Sequence, residues 1–207
     1  MFKSIFRSVV LVAVAATSVA AFADDIQILP PTYGGTGCPL GTASISLSPD
    51  QKAVSILFDQ YVAQAGGSSG MTLDRKSCNL TIPVQVPQGY SISVFQVDYR
   101  GFNALPYGAR SQFNVEYFFN YGGGYPQTRG LRQTKNFSGP QSSDYELTDR
   151  LGVEALIWTP CGAQANLRVN TSMMVTTNSR REQAMSTVDS ADISAGLIYH
   201  IQWRRCP

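Results

Sequence analysis

The chain has 207 residues, of which 43% are hydrophobic, 14% charged and 11% aromatic. That length suits one domain; the hydrophobic share excludes a disordered chain, and the low charge excludes a coiled coil or a nucleic-acid tail. Sixteen Lys and Arg stand against 14 Asp and Glu, and setting Lys3 and Arg7 aside as leader residues leaves 14 against 14. A neutral chain has no net charge with which to attract nucleic acid or anionic lipid.

Lys3 and Arg7 lead into Val9–Ala21, an uncharged Val- and Ala-rich run of 13 residues, followed by Ala21-Phe22-Ala23 and the acidic pair Asp24-Asp25. This is the layout of a secretory signal peptide cut after Ala23. As a helix the run would span about 20 Å, short of a hydrocarbon core of roughly 30 Å. The expected product is a single domain of residues 24–207, secreted or periplasmic, with no membrane span.

The remaining chain reads as strands. Thr42–Ser48 runs into the turn Ser48-Pro49-Asp50-Gln51, and Val54, Ile56 and Phe58 return. Ala65–Gly70 is a Gly/Ser loop. Cys78–Val86 alternates apolar with polar, and Pro83, which cannot donate a ladder hydrogen bond, directs that strand to a sheet edge. In Tyr90–Tyr99 the apolar phase slips between Val94 and Phe95, the mark of a bulge or of a strand buried on both faces. Phe113, Val115, Tyr117, Phe119 and Tyr121 form an inward stripe that Gly122-Gly123-Gly124 breaks. Gln127–Phe137 is a weaker strand and Val153–Trp158 a short one. Gln164–Thr176 alternates strictly, Arg180–Met185 allows at most one helical turn, and Leu197–Arg204 closes the series. About nine short strands without a helical stripe predict an all-β, antiparallel, jelly-roll-like β-sandwich. An outer-membrane barrel is the rival reading, opposed by the cysteines and by Pro83.

Cys38, Cys78, Cys161 and Cys206 in an exported chain predict two disulfides. Their wide spacing and the single histidine predict no metal site, and no cofactor is expected. Pairing the last two long strands antiparallel, Ala165 with Trp203 and Leu167 with Ile201, matches their apolar faces and brings Cys161 within one residue of a position opposite Cys206. Cys38–Cys78 follows by elimination.

Several separated segments carry a resemblance. Gly35–Thr42 reads GTGCPLGT; Val97–Gly101 reads VDYRG; Phe137–Pro140 reads FSGP, with Asp144-Tyr145 after it; Cys161-Gly162 and Leu167–Thr171 (LRVNT) follow. In this order they resemble a family of small secreted proteins of fungi and bacteria known only as a domain of unknown function. The resemblance implies a secreted β-rich domain and brings no activity with it.

Candidate chemistry is sparse. His200, the only histidine, lies on the polar side of the last strand, and no G-x-S-x-G elbow accompanies it, so it reads as a surface residue. Glu116 with Asp98 is the one carboxylate pair that would suit glycoside hydrolysis, provided their strands are neighbours. Asp144, Glu146 and Asp149 crowd an apparent acidic loop next to Arg150, without the glycine an EF-hand needs. Tyr107, Phe118 and Tyr125, with Arg100 as the charged member, are the candidate binding residues, since exposed aromatic faces suit sugar rings or a protein partner. The sequence therefore predicts a non-enzymatic secreted domain binding glycan or protein. A carbohydrate-active enzyme and an envelope-surface structural protein are the alternatives.

Overall fold

A computed structural model describes residues 26–121, 130–188 and 196–207. Its strands are β1 (Gln27–Ile28), β2 (Thr32–Gly34), β3 (Ala43–Leu47), β4 (Ala53–Phe58), β5 (Val62–Ala65), β6 (Leu73–Gln85) and β7 (Tyr90–Leu105). They continue as β8 (Arg110–Tyr121), β9 (Leu131–Ser138), β10 (Gln141–Arg150), β11 (Gln164–Thr176), β12 (Ala184–Thr187) and β13 (Leu197–Arg205). One sheet runs β1-β6-β11-β8-β9, with β2 also on β6; the other runs β3-β4-β13-β7-β12-β5, with β10 on the opposite side of β7. Every pairing is antiparallel. No helix among the described residues is long and apolar enough to cross a membrane.

The two sheets pack face to face because every long strand alternates. Ile82 of β6, Phe113 and Val115 of β8 and Leu167 and Val169 of β11 are buried against Ile56, Val97, Tyr99, Leu197 and Tyr199 of the other sheet. Aromatic rings bridge the layers edge to face, Tyr99 with Phe113 at 5.9 Å and Tyr117 with Tyr199 at 5.6 Å. Such pairs add about 0.5–1.5 kcal/mol beyond the area they bury. Consecutive strands β7 and β8 lie in different sheets, as do β9 and β10. The two corners touch, Gly139 N donating to Ala109 O at 3.0 Å. The pairs β7/β10 and β8/β9 thus pass together from sheet to sheet, which is jelly-roll winding.

Both disulfides join as expected, Cys38 to Cys78 and Cys161 to Cys206, with α-carbons 5.4 and 6.0 Å apart. The strand pairing used to predict the second is wrong. β11 lies between β6 and β8, and β13 between β4 and β7, in the opposite sheet. Their matching apolar faces meet across the core instead of side by side. The cysteines meet because both flank the start of β7: Gly162 N donates to Tyr90 O at 2.9 Å and Cys206 N to Gly89 O at 2.8 Å. The bridge therefore fastens one sheet to the other. Cys38 reaches β6 because Gly37 lies flat on the Tyr61 ring, where a β-carbon would collide. Tyr61 in turn donates to Thr171 Oγ1 at 2.9 Å.

Other expectations need correction. Residues 153–158 are not a strand; Val153–Ala155 is a 3₁₀ turn. The segment 180–185 forms no helical turn, and Ala184 begins β12. The supposed acidic loop is β10, paired along its length with β7. β6 is not an edge strand, yet Pro83 finds the gap between its two short neighbours: β1 ends opposite Val84, β2 begins opposite Thr81, and Leu29 N donates to Pro83 O at 3.0 Å. The phase slip at Phe95 is a bulge: His200 faces Gln96 and Ile201 faces Val94, leaving Phe95 as the extra residue.

Candidate functional site

The predicted site residues do not form one surface. Tyr107 sits at the β7–β8 corner, 81% exposed. Phe118 lies half-buried on the outer face of the six-stranded sheet, eight residues beyond Arg110 and so about 27 Å along β8. Arg100 lies on the other sheet, bonded to Glu146 at 2.7 Å. Tyr125 falls outside the described residues. Glu116 and Asp98 also part: β8 and β7 belong to different sheets, and the two carboxylates project from opposite outer faces. The hydrolytic pair has no geometry. The three carboxylates of the supposed loop separate as well. Asp144 and Glu146 point outward from β10, whereas Asp149 points inward to Lys135 of β9. Inward charges on two edge strands discourage pairing with another chain.

On the outer face of the seven-stranded sheet Asp98 and Arg100 find charged partners, whereas Asp144, Arg150 and Arg204 have none among the described residues. Asp98 Oδ2 lies 2.6 Å from His200 Nε2, and its carboxylate also accepts from Thr148 Oγ1 at 2.7 Å and Gln96 Nε2 at 3.1 Å. Burial alone would raise its pKa. The hydrogen bonds from Thr148 and His200, the His200 charge and the Gln96 amide outweigh burial and hold it below the usual value. Gly101 sits within this sheet, where a β-carbon would run into Thr187 O and the Tyr145 hydroxyl. Tyr145 donates to Thr187 O at 2.7 Å, so the VDYRG glycine and the later tyrosine serve packing.

At one end of this sheet lies a depression of about 650 Å³, lined by Asp50, Lys52, Tyr90, Phe95, Gln202 and Trp203. Tyr90 meets Trp203 edge to face at 5.7 Å, and Trp203 Nε1 donates to Gln51 O at 3.3 Å, which fixes both rings. Phe95 is 36% exposed because the bulge turns it outward. Gln202 Nε2 is buried without a hydrogen-bond partner. Sequence reasoning missed this place. The slip at Phe95 was its one visible sign, since Tyr90 and Trp203 are distant in sequence and meet only through the β7–β13 register.

The middle of the outer face of the six-stranded sheet is polar from edge to edge. Its register lines up Asn79, Asn170, Glu116 and Arg132 in one row and Ser77, Ser172, Asn114 and Thr134 in the next. All of these residues but Thr134 line a shallow depression of about 370 Å³. Arg132 bonds Glu116 at 3.4 Å and Thr134 Oγ1 donates to Asn114 Oδ1 at 2.8 Å. Among the described residues no cluster of His, Cys, Asp and Glu could hold a metal ion.

A solved structure, a family 11 carbohydrate-binding module from Clostridium thermocellum with a β-1,3-1,4-mixed-linked tetrasaccharide, aligns with 84% of this chain and 95% of its own. The identity is 8% and the TM-score 0.24. At that score the likeness carries neither fold nor ligand to this chain. An "Uncharacterized secreted protein" of Arthroderma benhamiae is 37% identical over 183 residues, which cover 88% of this chain and 73% of the relative. This chain too is secreted or periplasmic, the setting in which its two disulfides persist. Residues 24–206 match a family model over nearly all of the expected mature domain, and the chain belongs to that family, described as Domain of unknown function (DUF4360).

Proposed function

We propose that this secreted domain is a non-enzymatic glycan-binding module whose site is the depression between Tyr90, Phe95 and Trp203. Sugar rings present C–H faces that stack on aromatic side chains and hydroxyls that need directional partners. The depression supplies both kinds of group. The observation that carries the reading is Gln202 Nε2, a buried donor without an acceptor beside three aromatic rings. A buried donor left unpaired costs about 1–3 kcal/mol, and a ligand hydroxyl would satisfy it. Asp50 and Lys52 on the β3–β4 turn add an acceptor and a cation at the rim.

The same reading takes residues 24–207 as the mature domain. Ile26, only 3% exposed, donates its N–H to Gln51 Oε1 at 2.8 Å, so a residue close to the proposed cleavage point is packed into the domain. Intact mass measurement of the exported protein tests this; an N-terminus other than Asp24 contradicts it.

Binding is tested by titrating the mature protein with a panel of neutral oligosaccharides while following tryptophan fluorescence. One sugar class should bind, and Phe95→Ala and Gln202→Ala should each weaken it about tenfold without lowering thermal stability. Silence across the panel, or unchanged affinity in both variants, overturns the site.

A further inference from the structure

Without Lys3 and Arg7 the chain is neutral as a whole, yet the outer face of the six-stranded sheet is not. Its outward positions carry Arg75 of β6, Arg168 of β11, Arg110 of β8 and Arg132 of β9 against one carboxylate, Glu116. Glu116 is taken by Arg132. Among the described residues Arg75, Arg110 and Arg168 have no carboxylate partner. Arg75 Nη2 reaches only Ser172 Oγ at 3.4 Å, and Arg168 Nε is buried with no acceptor at all. A guanidinium that has lost water at one nitrogen without gaining an anion is prepared for one.

From this we propose a second binding site, for an acidic polysaccharide whose carboxylates pair with Arg75, Arg168 and Arg110. The forked guanidinium binds a planar carboxylate through two parallel hydrogen bonds. The ground between the arginines suits a sugar chain. Asn79, Asn170, Asn114 and Ser77 present neutral donors and acceptors about 4.8 Å apart from strand to strand, at the level of sugar hydroxyls. Phe118, cross-strand from Arg168, adds a single ring face. A single-stranded nucleic acid calls for a succession of stacking platforms, and the outward positions of this sheet's long strands offer this one ring. The site lies on the opposite sheet from the Tyr90–Trp203 depression and is independent of it.

The test uses the mature protein with polygalacturonate and with the same polymer fully methyl-esterified, which keeps the sugars and removes the charge. Polygalacturonate should bind, more weakly as salt rises, and the esterified polymer should bind at least tenfold more weakly. Arg75→Gln with Arg168→Gln should cost tenfold or more in affinity while the melting temperature stays put. Arg110→Gln, at an exposed position, repeats the test without touching a buried atom. Equal binding of both polymers, no binding of either, tighter binding of an oligonucleotide of matched charge, or full affinity in all arginine variants overturns the proposal.

Discussion

The two outer faces of the sandwich carry charged side chains that differ in their balance: one mixes both signs, the other sets four arginines against a single carboxylate. On the β7/β10/β13 face Arg100 is answered by Glu146, and Asp98 by His200, Thr148 and Gln96. On the β6/β11/β8/β9 face three of four arginines find no carboxylate. Charges paired within the fold, as at Asp98 and Arg100, contribute to stability and offer little to a charged ligand, although Asp144, Arg150 and Arg204 on the same face have no charged partner among the described residues. A set of charges left unmet contributes little stability and retains its capacity to bind. Substitutions should therefore separate the two sets of charges: stability should respond at Asp98, affinity for an acidic polymer at Arg75, Arg110 and Arg168.

The largest effect should come from what joins the faces. Cys161→Ser with Cys206→Ser cuts the tie between the sheets and should lower stability by about 2–4 kcal/mol, read by urea unfolding. An unchanged midpoint would mean that the core alone holds the faces together. Gly101→Ala should come next, at about 1–3 kcal/mol, because a β-carbon overpacks the contact with Tyr145 and Thr187. Binding on the other sheet should be unaffected. Asp98→Asn should cost about 1 kcal/mol near neutral pH. Asp98 titrates below its ordinary value in the fold, so the unfolded chain takes up its proton first on acidification. Its contribution is complete above the unfolded value of about 3.9 and is lost as the pH falls through the folded one. The gap in melting temperature between wild type and Asp98→Asn should therefore close on acidification; a gap that widened would contradict the assignment. Smallest of all, Arg168→Gln and Tyr107→Ala should shift stability by no more than about 0.5 kcal/mol.

The comparison also shows what a sequence can carry. Alternation in Gln164–Thr176 and Leu197–Arg204 revealed two half-buried strands, because period two is local. It could not tell which sheet each would join, because a face buried from above and one buried from below have the same pattern. The cysteine pairing came out right although the register behind it was wrong: both cysteines are placed by β7, which that register left out. The bulge at Phe95 was visible as a phase slip, but its partners Tyr90 and Trp203 depend on long-range register. Balanced composition concealed the arginine face entirely. A sum of charges is blind to their segregation, and only the stacking of β6, β11, β8 and β9 puts Arg75, Arg168, Arg110 and Arg132 on one side.

The division of labour between the faces is tested most directly by an amide chemical-shift map of the mature protein titrated with short polygalacturonate. The account predicts progressive shifts at outward positions of the six-stranded sheet, among them Asn79, Asn114, Arg168 and Asn170, with Asp98, Arg100 and Glu146 unmoved. Shifts centred on the Asp98–His200 network, or spread evenly over both faces, would contradict it.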